Sequence, residues 1–191
     1  MNQAIYTVFK NININFCFFL LFAFSQVAFS EAHDVPLEDL NGNHHSLDKY
    51  VGKGKWVIVN VWATACPYCR DELFDLTDFH DRHNKQVAMV IGLTLDYPSF
   101  DYPDKDELVN YAMEYFIDYP LLMVDQKLAS KVIGKPVDMI PLTFFYNPEG
   151  KLVHRINGVV TEKMLEQVIA NPDTSYSLQW AEQVPPEFKP E

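Results

Sequence analysis

The stretch Trp56-Val57-Ile58-Val59-Asn60-Val61-Trp62-Ala63-Thr64-Ala65-Cys66-Pro67-Tyr68-Cys69-Arg70 joins two patterns. Trp56 to Trp62 is a β-branched apolar run of strand length, the pattern of a strand buried in the middle of a sheet. From Cys66 the spacing becomes that of a helix reaching to about Lys85, with Leu73, Leu76, Phe79 and His80 at helical intervals and charged residues on the other face. Cys66 stands where this helix begins, and Pro67 takes the early position where a missing N–H does no harm. The free N–H groups and dipole of a helix start stabilise an anion, so Cys66 is expected to have the lowered thiol pKa and the more exposed sulfur. Cys69, one turn on, points to the same side and can close a disulfide or resolve a mixed one. A Cys-x-x-Cys pair directly after a buried strand and opening a helix points to thiol–disulfide chemistry.

Other uses of such a pair fit less well. Haem attachment would place His after the second cysteine, where this chain has Arg70. Structural zinc takes about four ligands, and with no second cysteine pair only histidines such as His44 and His45 could complete a site. A purely structural disulfide would join distant segments, because closing a longer loop restricts the unfolded chain more. The expectation is therefore no metal and no cofactor beyond the redox-active Cys66–Cys69 disulfide.

Outward from this stretch, Val87 to Leu95 reads as a second buried strand and Asp104 to about Ile117 as an amphipathic helix with Asp104 as its cap. Leu121 to Val124 is a short strand and Gln126 to Ile133 a short helix. Ile140 to Tyr146 is a strand opened by Pro141, and the turn Asn147-Pro148-Glu149-Gly150 leads into a last strand, Leu152 to Ile156, forming a hairpin. Thr161 caps a closing helix to about Ala170. Residues 31–55 form an extended lead-in with Asn41-Gly42 as a turn between short strands. Strands alternating with helices and ending in a hairpin make a mixed α/β sheet with helices on both faces.

The two ends are different material. Residues 16–24 are uninterrupted apolar, preceded by Lys10 and followed by Ala28-Phe29-Ser30. That order describes a secretory signal peptide over residues 1–30, or an uncleaved anchor extending to Phe29. Cys17 lies inside this segment, so the expected folded domain, residues 31–171, holds only Cys66 and Cys69. Residues 172–191, rich in Pro and polar residues, are expected to form a loosely held tail. A hydrophobic fraction of 48% and a charged fraction of 21% are those of an ordinary globular chain, and the formal net charge of −11 argues against nucleic-acid binding.

The run Asn60-Val61-Trp62-Ala63-Thr64-Ala65-Cys66-Pro67-Tyr68-Cys69-Arg70, with Ile140-Pro141-Leu142-Thr143-Phe144-Phe145 and the turn ending at Gly150, resembles the TlpA/ResA-like thioredoxin proteins over most of residues 35–170. The resemblance implies a thioredoxin-like fold, a mixed central sheet flanked by helices with an N-terminal strand extension. It also implies an exported disulfide reductase, several such proteins serving cytochrome c maturation. Pro141 would be a cis-proline facing the disulfide, with the backbone of Ile140 pairing with an extended substrate peptide. Trp62, Pro67 and Tyr68 would complete the substrate-binding surface. Asn60 stands where ordinary thioredoxins keep a buried acid. Glu72 is placed like the helix carboxylate that aids proton movement in ResA-like reductases. Read from its position alone, it is either a base for Cys69 or a solvated helix glutamate.

The chain departs from the family at Ala65, often Trp, at Leu73-Phe74, where a proline is frequent, and at Pro67-Tyr68, a dipeptide familiar from glutaredoxins. These residues tune thiolate stability and hence the direction of transfer. Expected partners are disulfide-containing exported proteins and a membrane electron donor. The expected location is periplasmic or otherwise extracytoplasmic, with membrane contact only if the N-terminal segment stays uncleaved. The alternatives are a disulfide oxidase, a thioredoxin-like copper chaperone, or a peptide-binding module. His80 and His83 are read as packed or surface residues rather than ligands. Tyr97, Phe100 and Tyr102 line either a groove or a loop core.

Overall fold

A computed structural model describes residues 34–96 and 105–172. The N-terminal apolar segment, the Asp104 cap, the Tyr97–Tyr102 aromatics and the tail from residue 173 lie outside the described residues. Among the described residues seven strands form one sheet: β1 (Leu37–Asp39), β2 (His44–His45), β3 (Trp56–Trp62), β4 (Ala88–Thr94), β5 (Leu121–Met123), β6 (Leu142–Tyr146) and β7 (Leu152–Asn157), in the order β2-β1-β5-β4-β3-β6-β7. β3 lies near the middle. It pairs parallel with β4 over its whole length, Trp56 opposite Ala88 to Trp62 opposite Thr94, and antiparallel with β6. β4 and β5 are parallel, whereas β1–β2, β1–β5 and β6–β7 are antiparallel, so the sheet is mixed. This is the thioredoxin-like architecture expected from the sequence.

Among the described residues five α-helices cover the sheet: α1 (Pro67–Asp71), α2 (Leu73–His83), α3 (Lys105–Glu114), α4 (Gln126–Ile133) and α5 (Glu162–Ala170). Alternation along β3 sorts its side chains to two faces. Ile58 and Trp62 join Leu73, Leu76 and Phe79 of α2, Leu108 and Ala112 of α3, and Leu165 and Val168 of α5 in one core. Val57, Val59 and Val61 join Ala129, Val132 and Ile133 of α4 in the other. Asn60, in phase with Ile58 and Trp62, is thereby delivered to the α2 face.

Local signals set the boundaries. Asp125 caps α4 by accepting from Leu128 N–H, and Gly134, at φ 72°, closes it in the left-handed conformation a side chain would resist. Thr161 caps α5 through Met164 N–H. The β1–β2 turn is held by Asp39, whose carboxylate accepts from the N–H groups of Asn41 and Asn43.

One expectation needs correction. The single helix read from Cys66 to Lys85 is two, broken at Glu72, which closes α1 at φ −100°, ψ −9° before α2 begins. Glu72 N–H reaches back to Cys69 O in a tight turn, while its own carbonyl accepts from Leu76 N–H and starts the next helix. The Glu72 side chain faces the sheet, where it meets Asn60.

Candidate active site

β3 ends at Trp62 and the chain must turn before α1. The turn is held at both ends. Cys66 N–H donates to Ala63 O at 3.1 Å. The carboxylate of Asp96, 1% exposed just beyond β4, accepts from Thr64 N–H with both oxygens at 3.0 Å and from Thr64 Oγ1 at 2.9 Å. Thr94 Oγ1 donates to Asp96 Oδ2 as well, at 2.5 Å. Neighbouring strands β3 and β4 thus fix the loop two residues before the first cysteine. Sequence reading did not find Asp96, because its partner is 32 positions away.

Cys66 caps α1, with Pro67 in the first turn, and its sulfur accepts from Cys69 N–H at 3.2 Å. It is joined to Cys69 as a disulfide with Cα atoms 5.3 Å apart. Cys66 is half-buried and Cys69 is 0% exposed. When the bond is open, the N–H already aimed at Cys66 sulfur stabilises a thiolate there, whereas Cys69 must lose its proton inside the protein.

Three residues after Cys69 stands Glu72, also 0% exposed. Its Oε1 accepts from Asn60 Nδ2 at 2.7 Å and its Oε2 from Val160 N–H at 2.8 Å. Asn60 Nδ2 also donates to Thr143 Oγ1 at 3.1 Å, which ties the carboxyl to β6 two residues after Pro141. Burial pushes the Glu72 pKa up to about 8, against the two hydrogen bonds that favour the carboxylate; Asp75 and Asp71 add to the rise. One turn along α2, Asp75 accepts from Glu162 N–H at 2.8 Å, so two carboxyls on one helix face grip the segment that starts α5. Of the two positional readings of Glu72, the solvated glutamate is excluded.

The other anticipated residues fall as follows. The Ile140–Pro141 bond is cis; Pro141 is buried and Ile140 half-buried. Pro67 is exposed and Tyr68 is 48% exposed beside the disulfide. Trp62 is a correction: expected on the substrate-binding surface, it is 0% exposed, with its ring stacked on Tyr111. It reaches that depth because Gly92, opposite Asn60 on β4, leaves room: a Cβ there would stand 3.0 Å from Trp62 Nε1 and run into Leu121.

His80 is packed, its Nδ1 accepting from Val90 N–H at 3.0 Å, and burial holds its pKa low. His83, Glu162 and Glu166 bring donor atoms within 4.8 Å of one another at the far end of α2, where the guanidinium of Arg82 sits 2.7 Å from Glu162. A cleft of about 500 Å³ lined by Trp56, Pro148, Leu152 and Pro172 lies at the opposite end of β3 from the cysteines and takes no part in their chemistry.

A half-buried cysteine at a helix start, disulfide-bonded to a fully buried one, can accept and return an electron pair. Comparison with known proteins agrees. The sequence pattern of the AhpC/TSA family matches residues 29–155. The chain is 29% identical over 140 residues to the thiol-disulfide oxidoreductase ResA of Bacillus subtilis, covering 71% of this chain and 72% of that one. It is 27% identical over 138 residues to ResA of Geobacillus thermodenitrificans, covering 72% and 74%. Among solved structures, a DsbF homologue from Corynebacterium diphtheriae superposes with a TM-score of 0.61 at 24% identity, over 75% of this chain and 90% of that one. A secreted thiol-disulfide isomerase from Corynebacterium glutamicum gives 0.62 at 21%, over 75% and 88%. These two likenesses speak to the fold. The chain belongs to the AhpC/TSA family, as a ResA-like thiol–disulfide oxidoreductase of thioredoxin-like fold.

Proposed function

We propose that the protein reduces disulfides in exported proteins, and that a membrane electron donor returns it to the dithiol form after each turnover. The Cys66 thiolate attacks one sulfur of a client disulfide, forming the Cys66–client bond and releasing the other client sulfur as a thiolate. Cys69 then gives its proton to the Glu72 carboxylate, attacks Cys66 Sγ and expels the second client thiolate. The client gains two electrons, the pair loses two and closes, and the proton held by Glu72 leaves to solvent or to the departing thiolate.

The observation that carries this reading is Glu72, buried with Cys69 three residues before it and with a proton affinity near 8. A carboxyl raised this far stands much nearer to a cysteine thiol than an exposed glutamate does, so it takes the Cys69 proton more readily. Complete burial of Cys69 also favours exchange over a copper site, which needs both sulfurs open to the ion. Pro67, Tyr68, Ile140 and Pro141 form the surface for the client peptide in this reading. Export rests on the apolar run at residues 16–24 with its small-residue flank, and the Corynebacterium glutamicum relative in fold is named as secreted. The periplasm or an equivalent extracytoplasmic space is then the site of action. Apocytochrome c is the client class that the ResA resemblance favours. Among the described residues no helix is long and apolar enough to cross a membrane.

The test is the reduction potential of the Cys66/Cys69 pair, equilibrated in dithiothreitol or glutathione buffers. A value near or below roughly −250 mV, in the thioredoxin range, supports a reductase; one near about −120 mV marks a strong oxidant and reverses the proposed direction.

A further inference from the structure

The amide of Asn60 is fully buried, and its two ends are unequally served. Nδ2 contacts both Glu72 Oε1 and Thr143 Oγ1, whereas Oδ1 has no hydrogen-bond partner among the described residues. That arrangement suits one protonation state of Glu72. The carboxylate accepts at Oε1 from the amide N–H and at Oε2 from Val160 N–H. The carboxylic acid has a proton to place, and each oxygen already faces a donor. At Oε2 the donor is a backbone N–H, which cannot move. At Oε1 it is a side-chain amide, which can turn over about its terminal bond and present Oδ1 instead. Thr143 Oγ1 tolerates either state, since a hydroxyl accepts from Nδ2 or donates to Oδ1.

We propose that Asn60 is a positioning residue whose amide turns over with the protonation of Glu72, donating to the carboxylate and accepting from the acid, and so biases Glu72 towards releasing its proton. The bias follows from which end is stranded. With the carboxylate, a carbonyl oxygen goes unpaired; with the acid, an NH2 group with two donors would take that place, and buried orphan donors are the rarer and worse-tolerated case. Burial holds the proton on Glu72, and Asn60 offsets part of that hold, leaving a base able to release between turnovers. The other titratable groups facing Glu72 are Asp71 and Asp75, Tyr119 from the segment before β5, and Cys69 once reduced; β3, β6 and the α5 approach contribute Asn60, Thr143 and Val160, which are neutral. The consequence for exchange rests on Glu72 being the base for Cys69, as proposed above.

The experiment is an NMR titration of the oxidised full-length protein, following the Glu72 carboxyl carbon and the Asn60 side-chain NH2 from pH 5 to 10. The expected result is a shared midpoint, with the Asn60 resonances of Glu72→Gln fixed near the wild-type low-pH position at every pH. Asn60→Leu should raise the Glu72 midpoint by at least one pH unit, a tenfold stronger hold on the proton. Asn60 resonances that stay flat while Glu72 titrates overturn the proposal, as does an unmoved midpoint in Asn60→Leu. The wild-type titration needs no variant to fold. Full thiol-exchange rates in Glu72→Gln, by contrast, would remove Glu72 as base and leave the titration result standing.

Discussion

Replacing Glu72 by Gln should make the protein more stable at alkaline pH, by an amount that the burial of the carboxyl sets. Glu72 has an ordinary pKa of 4.5 and a folded value near 8. Between those values the unfolded chain has released the proton that the folded chain still holds. The unfolded state therefore binds fewer protons, and stability falls as pH rises through that window. The penalty is absent below about pH 4.5, grows by ~1.4 kcal/mol per pH unit, and levels off above pH 8. Over the full window it amounts to about 5 kcal/mol, an upper bound; about 3–5 kcal/mol is the expected range. Glutamine preserves the geometry: its oxygen accepts from Val160 N–H and its NH2 donates to Asn60 Oδ1 with the amide turned over. The assay is urea unfolding of both oxidised proteins at intervals from pH 5 to 9, the closed disulfide removing the thiols from the titration. Asp118, which burial and its neighbour Asp81 raise to about 6, titrates in both proteins and cancels in the difference. The two proteins should be nearly equal at pH 5 and diverge steadily to pH 8. A difference that does not change with pH would refute the argument, because a carboxyl free to ionise at its ordinary pKa would make no such slope.

Three further outcomes are expected. Cys69→Ser should trap client proteins on Cys66 as mixed disulfides, recoverable by non-reducing electrophoresis, while Cys66→Ser should trap none; equal trapping by both would contradict the assigned order of attack. Asp96→Ala removes the acceptor for Thr64 N–H and two threonine hydroxyls, and should cost about 2–4 kcal/mol in chemical denaturation, with a shifted reduction potential because the loop before Cys66 loosens. Gly92→Ala would force a methyl against Leu121 and Trp62. It should destabilise by about 1–3 kcal/mol and alter the Trp62 fluorescence; an unperturbed spectrum would place Trp62 elsewhere.

Most of the fold was legible because its strands and helices carry their own signals. β3 runs from Trp56 to Trp62 and α4 from Gln126 to Ile133, as the apolar run and the amphipathic spacing require, and Thr161 caps α5. The break at Glu72 was not legible, since Leu73, Leu76, Phe79 and His80 keep helical intervals to the end and nothing in that spacing marks an interruption before them. Trp62 was misplaced for a related reason. In a run that is apolar at nearly every position, period two is invisible, so the sequence does not say which residues face which helix. The Asp96–Thr64 clamp and the Val160–Glu72 bond join residues 32 and 88 positions apart, and no spacing rule anticipates such pairs.

The Asn60–Glu72 pair was nonetheless half visible. Asn60 is the single polar residue in the run Trp56–Trp62, and Glu72 falls on the same helical stripe as Leu76, Phe79 and His80, where a charge has no reason to be. Each breaks the pattern of its own element, and a buried polar residue requires a partner. Two such violations on elements that β–α connectivity must stack are best resolved by each other, at 2.7 Å. A fold selected for stability alone would replace both with apolar residues and lose the raised carboxyl pKa. Retaining them keeps a buried carboxyl of raised pKa three residues after Cys69, as the proposed exchange requires, and the stability lost between about pH 4.5 and pH 8 measures what that carboxyl costs the fold.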